Sequence, residues 1–154
     1  MAKKILFNFH DNLQYQKVAI SSVVNLFRGQ DRELGDVIYR SKSRQINLYE
    51  DIVRNKLNLD STDILKNLRE VQAQNMLFPS TELQPVYNFT IEMETGTGKT
   101  YVYLRTILEL YRNYDFLKFI IVVPSIAIRK GVEKNIEILK EHFNKYQAEN
   151  GQMQ

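Results

Sequence analysis

The stretch Tyr87-Asn88-Phe89-Thr90-Ile91-Glu92-Met93-Glu94-Thr95-Gly96-Thr97-Gly98-Lys99-Thr100 decides how this chain is read. Its first half alternates. Tyr87, Phe89 and Ile91 fall on one side of an extended backbone and Asn88, Thr90 and Glu92 on the other, a period of two that predicts a strand with one wetter face. Its second half concentrates glycine. A phosphate chain needs several inward-pointing backbone N–H groups, and Gly96 and Gly98 permit them because a Cβ would block close approach and disfavour positive φ. Beyond the loop, Ile107, Leu108, Leu110, Tyr111 and Tyr114 recur at helical spacing. A helix opening at this point adds free N–H groups and a partial positive charge, which places a β-phosphate near Gly98, Lys99 and Thr100. Lys99 is expected to reach the β- and γ-phosphates as the catalytic cation, and Thr100 offers a hydroxyl to Mg²⁺, a hard ion that prefers oxygen ligands. Thr95, Gly96, Thr97, Gly98, Lys99 and Thr100 are thus the loop's candidates for cofactor binding. The bland alternative, a turn followed by an exposed lysine, is weakened by the strand before the loop and the helix after it. The phosphate-loop pattern asks for a glycine at 93, where this chain has Met93.

Downstream, Phe119 to Val123 is an apolar, largely β-branched run suited to a parallel strand covered on both faces, which would complete a βαβ unit. Ser125 then has two readings. It can cap a last helix carrying Val132, Ile136, Leu139, Phe143 and Tyr146, or, with Pro124 and the N–H groups that follow, it can grip a nucleic-acid phosphate. Arg129 and Lys130 add positive charge there, although basic residues at such places are usually just solvated.

Upstream, Pro79 and Pro85 bracket a linker. Residues 46 to 75 read as a helical pair: Leu48, Tyr49, Ile52, Val53 and Leu57 form one stripe, and Asp60 or Ser61 caps a second helix with Ile64, Leu65, Leu68 and Val71. From Gln30 to Gln45 a polar stretch with Gly29 and Gly35 as breakers predicts a loop. Ile5, Phe7 and Phe9 alternate in a short entry segment. A first helix is expected to begin at Asp11-Asn12 and to bury Tyr15, Val18, Ala19, Ser22, Val23, Leu26 and Phe27, with Gly29 placed to stop it. On that helix Gln16 has an amide able to donate to N7 and accept from N6 of adenine; without the phosphate loop it would read as a solvated glutamine. Tyr15 is either core or a stacking wall. Glu92 and Glu94 receive no role, and His10 and His142 stand in no metal-ligand pattern.

Composition sets the outer limits. The chain has 154 residues and 44% hydrophobic content, enough for one packed domain. The balance of Lys plus Arg over Asp plus Glu is 21 − 18 = +3, which permits a nucleic-acid partner without requiring one. Zero cysteines exclude disulfides, zinc-thiolate sites and thiol nucleophiles. No apolar run approaches the roughly 18 residues that cross a bilayer, and the segment after Lys4 is too short and interrupted for a secretory signal. A cytoplasmic protein without a membrane partner is expected.

Three strings converge: Asp-Asn-Leu-Gln-Tyr-Gln at 11 to 16, Met-Glu-Thr-Gly-Thr-Gly-Lys-Thr-Tyr-Val-Tyr-Leu-Arg-Thr at 93 to 106, and Lys-Phe-Ile-Ile-Val-Val-Pro-Ser at 118 to 125. Together they resemble the restriction (Res) subunit of type III restriction-modification enzymes. The resemblance implies a superfamily-2, DEAD/DEAH-like motor that hydrolyses ATP with Mg²⁺ on double-stranded DNA, is joined to an endonuclease domain, and pairs with a modification (Mod) methyltransferase. By that likeness Gln16 matches the adenine-sensing glutamine, Lys99 and Thr100 the triphosphate and magnesium residues, and Pro124-Ser125 the DNA-contacting segment, with Arg129 beside it.

The fold expected is α/β: a partial RecA-like P-loop core with parallel strands near 86–92 and 118–123 and an α-helical insertion. It divides into an adenine-motif segment (1–29), a mainly helical insertion and linker (30–85) and the phosphate-loop unit with the DNA-contact region (86–154). No Asp-Glu-x-His string follows Thr100, so the chain reads as the amino-terminal piece of a larger site-specific deoxyribonuclease, expected to bind ATP without turning it over. The rival is a stand-alone P-loop nucleotide-binding or assembly module. A small-molecule kinase is disfavoured by Met93 and by Tyr15-Gln16.

Overall fold

The computed structural model describes residues 13–32, 55–84 and 86–137. The expected entry strand at Ile5 to Phe9, the helix start at Asp11-Asn12, most of the polar stretch after Gln30, the Leu48 to Val53 stripe, both histidines and the end of the last helix lie outside these residues. Three helices organise the rest: α1 (Gln14–Asn25), α2 (Ser61–Gln74) and α3 (Lys99–Tyr114). Residues 126–137 are also helical.

Each helix ends where local chemistry ends it. α2 starts on Asp60, whose carboxylate accepts from the Asp63 N–H at 2.8 Å and satisfies a donor that has no partner within the helix. Its last turn closes with Leu77 N–H on Gln72 O (2.8 Å) and Met76 N–H on Ala73 O (3.1 Å), which puts Met76 in the left-handed region at φ 56°. α1 runs into a series of tight turns and stops at Gly29, φ 94°. α3 opens on Gly98 and closes on Asp115, both left-handed.

α1 packs along α3 and also touches α2. Ala19, Tyr101 and Val102 form the buried centre, and Ile20, Met93 and Leu104 pack against it. At the far end of α1, Phe27 meets Phe116 edge-on (5.3 Å, 84°) and lies 6.2 Å from Tyr114, whose hydroxyl donates to Val24 O at 3.0 Å. Ile64 is fully buried on α2. The apolar stripe of α1 is covered less than its periodicity suggests: Ala19 and Leu26 are buried, but Tyr15 is exposed, and Val18, Val23 and Phe27 line an open cleft of about 1380 Å³ together with α2 and residues 87–94.

Polar clamps complete the join. Asn67, buried on the inner face of α2, donates to Leu26 O (3.1 Å) and Arg28 O (2.9 Å), while Arg28 pairs with Glu70. Buried Gln30 donates to Lys56 O (3.2 Å) and accepts from Asn58 N–H (2.9 Å). Arg32 forks onto the Asp115 carboxylate with two bonds of 3.2 Å.

The α/β expectation is not met. Among the described residues there is no strand and no sheet, and residues 87–94 and 115–123 run as irregular backbone. A helix satisfies its N–H and C=O groups from its own sequence, whereas a strand exists only beside another segment that supplies a ladder. Ile120 and Val122, the centre of the apolar run, are 92% and 87% exposed, so no neighbour reaches them. Apolar content and alternation survive as sequence features without the partner that would turn them into parallel strands.

Candidate functional site

The loop between residue 93 and the head of α3 wraps back on itself. Gly96 (φ 83°) and Gly98 (φ 85°) take the left-handed conformations their sequence positions call for. A Cβ at Gly96 would meet nothing within 4 Å, so the space beside that glycine is open. The Thr97 hydroxyl donates to Glu94 O at 2.6 Å and holds the turn. Lys99 reaches back across it: its ammonium donates to Met93 O (2.7 Å) and Glu94 O (3.0 Å). Three of the ammonium's hydrogen-bonding directions are available, and two are taken by loop carbonyls rather than by a carboxylate.

α3 begins immediately after. Its first internal bond runs from Val102 N–H to Gly98 O (3.0 Å), so the amides of Gly98, Lys99 and Thr100 precede the helical ladder and face the loop end as donors. These amides, the positive end of the helix and the ammonium make a cradle of the right sign for phosphate oxygens. Among the described residues no group of three His, Cys, Asp or Glu could hold a metal ion.

α1 docks onto the same loop. Gln16 is buried, and its side-chain amide donates to Thr97 O at 2.8 Å; the Tyr15 hydroxyl reaches the same carbonyl at 3.3 Å. Contact is tight enough that a Cβ on Gly98 would lie 2.7 Å from Gln16 Nε2. Because Thr97 O can only accept, the nitrogen must face it, which fixes the orientation of the Gln16 amide. The structure thus joins Gln16, Thr97, Gly98 and Lys99, residues 81 or more positions apart for the α1 contact.

Ser125 and Arg129, which follow Pro124, bond locally. The Ser125 hydroxyl accepts from Ile128 N–H (3.3 Å), its carbonyl accepts from Arg129 N–H (3.0 Å), and Arg129 Nε donates to Glu133 at 2.9 Å. This is the arrangement of a helix cap followed by a surface ion pair.

Sequence reading missed what Met93 does. The residue that replaces the expected glycine packs its side chain against the Ala19, Tyr101 and Val102 centre and gives its carbonyl to Lys99. Its apolar side chain at the end of an alternating run was the available signal.

Comparison with known proteins gives this geometry a context. The family model described as type III restriction enzyme, res subunit, matches residues 10–153. The chain is 33% identical over 142 residues to the EcoP15I Res subunit of a type III restriction-modification enzyme from Escherichia coli, covering 89% of this chain and 14% of that protein. It is 33% identical over 141 residues to the EcoPI Res subunit from Escherichia phage P1, with the same coverages of 89% and 14%. It is 44% identical over 61 residues to the StyLTI Res subunit from Salmonella typhimurium, covering 38% of this chain and 6% of that protein. The chain thus spans about 14% of the length of the first two relatives. A wrapped glycine loop, a lysine folded over it and a glutamine docked from α1 stand within a match that takes in nearly every residue, and the chain belongs to the type III restriction enzyme Res-subunit family.

Proposed function

We propose that residues 95–100 bind the triphosphate of Mg²⁺·ATP, that Gln16 senses the adenine, and that the chain serves as the nucleotide-binding part of an ATP-dependent, DNA-translocating type III restriction endonuclease subunit. The observation that carries this reading is that two left-handed glycines, the Lys99 ammonium folded back onto the Met93 and Glu94 carbonyls and the head of α3 stand together within residues 93–100. On arrival of a triphosphate, the ammonium exchanges loop carbonyls for phosphate oxygens, and a charge-assisted bond replaces neutral ones. ATP supplies the hydrolytic energy when bound; Gly98 to Thr100 hold its phosphates, and Gln16 aligns its base.

Double-stranded DNA and a Mod methyltransferase are the partners that go with this reading, and Pro124, Ser125 and Arg129 are its DNA-contact residues on the strength of the family resemblance. The three-part division at residues 29 and 85 belongs to the same proposal. No described helix is long and apolar enough to cross a membrane. These 154 residues contain no Asp-Glu pair to hold magnesium and orient a water, so binding without turnover is expected.

Isothermal titration of the chain with Mg²⁺·ATP, wild type against Lys99→Ala, tests the reading. Loss of the ammonium should weaken binding by about tenfold or more, the scale of one charge-assisted hydrogen bond. Equal affinity of the two proteins, or steady phosphate release by the wild-type chain, would overturn it.

A further inference from the structure

The phosphate loop is held from outside as well as from within. Its own bonds fix most of it: the Thr97 hydroxyl donates to Glu94 O, the Lys99 ammonium to Met93 O and Glu94 O, and Gly98 O accepts from Val102 N–H at 3.0 Å. The last of these settles the peptide between residues 98 and 99. Its carbonyl lies along α3, so its N–H leaves by the open end of the helix. The peptide before it, between Thr97 and Gly98, stands outside the helical ladder and gets no such support. Glycine makes that peptide easy to turn over, because φ of either sign is accessible at residue 98. Among the described residues, only α1 bonds its carbonyl: Thr97 O accepts from Gln16 Nε2 at 2.8 Å and from the Tyr15 hydroxyl at 3.3 Å.

We infer that Tyr15, acting with Gln16, is a positioning residue for the phosphate loop: the two donors pin the Thr97 carbonyl toward α1 and thereby aim the Gly98 N–H at the phosphates. The inference rests on the phosphate-loop reading above. In a planar trans peptide the C=O and N–H groups point in opposite directions, so holding one aims the other. Among the described residues nothing accepts from the Gly98 N–H, which leaves it for a ligand oxygen. Were the peptide to turn over, the cradle would present a carbonyl where a donor is needed, and a phosphate oxygen would meet a like partial charge. Apparent affinity then falls with the fraction of chains whose peptide is correctly turned. Tyr15 supplies the smaller share, since 3.3 Å is long for a hydroxyl donor. What it adds is a second direction: both lone pairs of the carbonyl are engaged, and its swing is limited from two sides.

Inorganic tripolyphosphate, which carries the charge of the ligand and no base, is the probe. Its titration into the full chain compares wild type with Tyr15→Phe, Gln16→Met and the double variant, each of which removes a donor and keeps the bulk of the side chain. Affinity should fall about twofold, about fivefold and about tenfold in that order, the scale of one or two neutral hydrogen bonds. A nuclear magnetic resonance signature separates aiming from mere packing. The Gly98 amide should give one sharp signal in the wild type and, in the double variant, two signals or one broadened by exchange between the two peptide orientations. Wild-type affinity in Tyr15→Phe or in Gln16→Met, or a single sharp Gly98 signal in the double variant, overturns the inference and leaves the loop reading intact. A wild type that binds no tripolyphosphate removes the loop reading and this one with it. Should the double variant fail to fold, the wild type decides: on saturation with tripolyphosphate the Gln16 side-chain amide hydrogens should exchange with solvent as slowly as before or more slowly, and faster exchange refutes the lock.

Discussion

Adding one methyl group to Gly98 should cost more than adding it to Gly96, and the difference measures the docking of α1 on the phosphate loop. Both glycines are left-handed, at φ 85° and 83°, so Gly98→Ala and Gly96→Ala share the backbone strain of about 1–3 kcal/mol and the same compensation from a stiffer unfolded chain of about 0.4–1 kcal/mol. Those contributions cancel in the comparison. At Gly96 the new Cβ meets nothing, whereas at Gly98 it lies 2.7 Å from Gln16 Nε2 and must displace the amide from its 2.8 Å bond to Thr97 O. A partly buried hydrogen bond of this kind contributes about 1 kcal/mol. For a chain of this size that corresponds to a melting point roughly 2–4 °C lower for Gly98→Ala than for Gly96→Ala. Thermal melts followed by circular dichroism supply the measurement, and repeating both substitutions in a Gln16→Ala background completes a double-mutant cycle. In that background the two glycine variants should become equal. Equal melting points in the native background, or a gap that persists without Gln16, would show that the loop and α1 are not coupled through this contact.

Two further expectations concern the frame. Met76 occupies the left-handed closing position of α2 at φ 56° and is 94% exposed, so Met76→Gly removes strain and loses no packing. It should stabilise the chain by about 0.5–1 kcal/mol in urea denaturation, while Met76→Ala, which keeps a Cβ, gains nothing; equal midpoints for both variants would refute the assignment. Burial raises the Tyr114 hydroxyl above its ordinary 10.0. Its contribution to stability is therefore complete below the unfolded value and fades as pH climbs through the folded one. Tyr114→Phe should lose about 1 kcal/mol at neutral pH with the bond to Val24 O and should show a shallower decline above pH 10; parallel alkaline declines of the two proteins would contradict this.

The features legible in the sequence are those whose chemistry is local. Asp60 announces the start of α2 because the donor it satisfies lies three residues away, and Gly29 ends the α1 region because no other residue adopts its φ so cheaply. The loop from Thr95 to Thr100 was readable for the same reason: glycine spacing and helix polarity are properties of a dozen adjacent residues. The segments at 86–92 and 118–123 were misread because alternation and apolar content state a capacity to pair, and pairing depends on a second segment. The clamps formed by Gln30 and Asn67 lay beyond reach for a different reason. Amides carry no periodicity, and their carbonyl partners at Lys56, Leu26 and Arg28 are decided by how helices cross. Gln16 falls between these cases: its residue type marked it as a reader of adenine, while its grip on Thr97 is visible only in three dimensions.

Asn55 shows how little is needed to fix a connector. Its side-chain oxygen accepts from both Leu117 N–H (2.8 Å) and Lys118 N–H (3.0 Å), and its nitrogen donates to Lys118 O (2.7 Å). One carboxamide thereby imitates a short length of neighbouring backbone and fastens the approach to α2 onto the exit from α3. The apolar run that follows Lys118 leaves from a pivot pinned at its base, so its heading is inherited from a residue sixty-odd positions earlier. Lengthening the chain between Asn55 and Asp60 would slacken that tether, and the direction of residues 119–123 would drift with it.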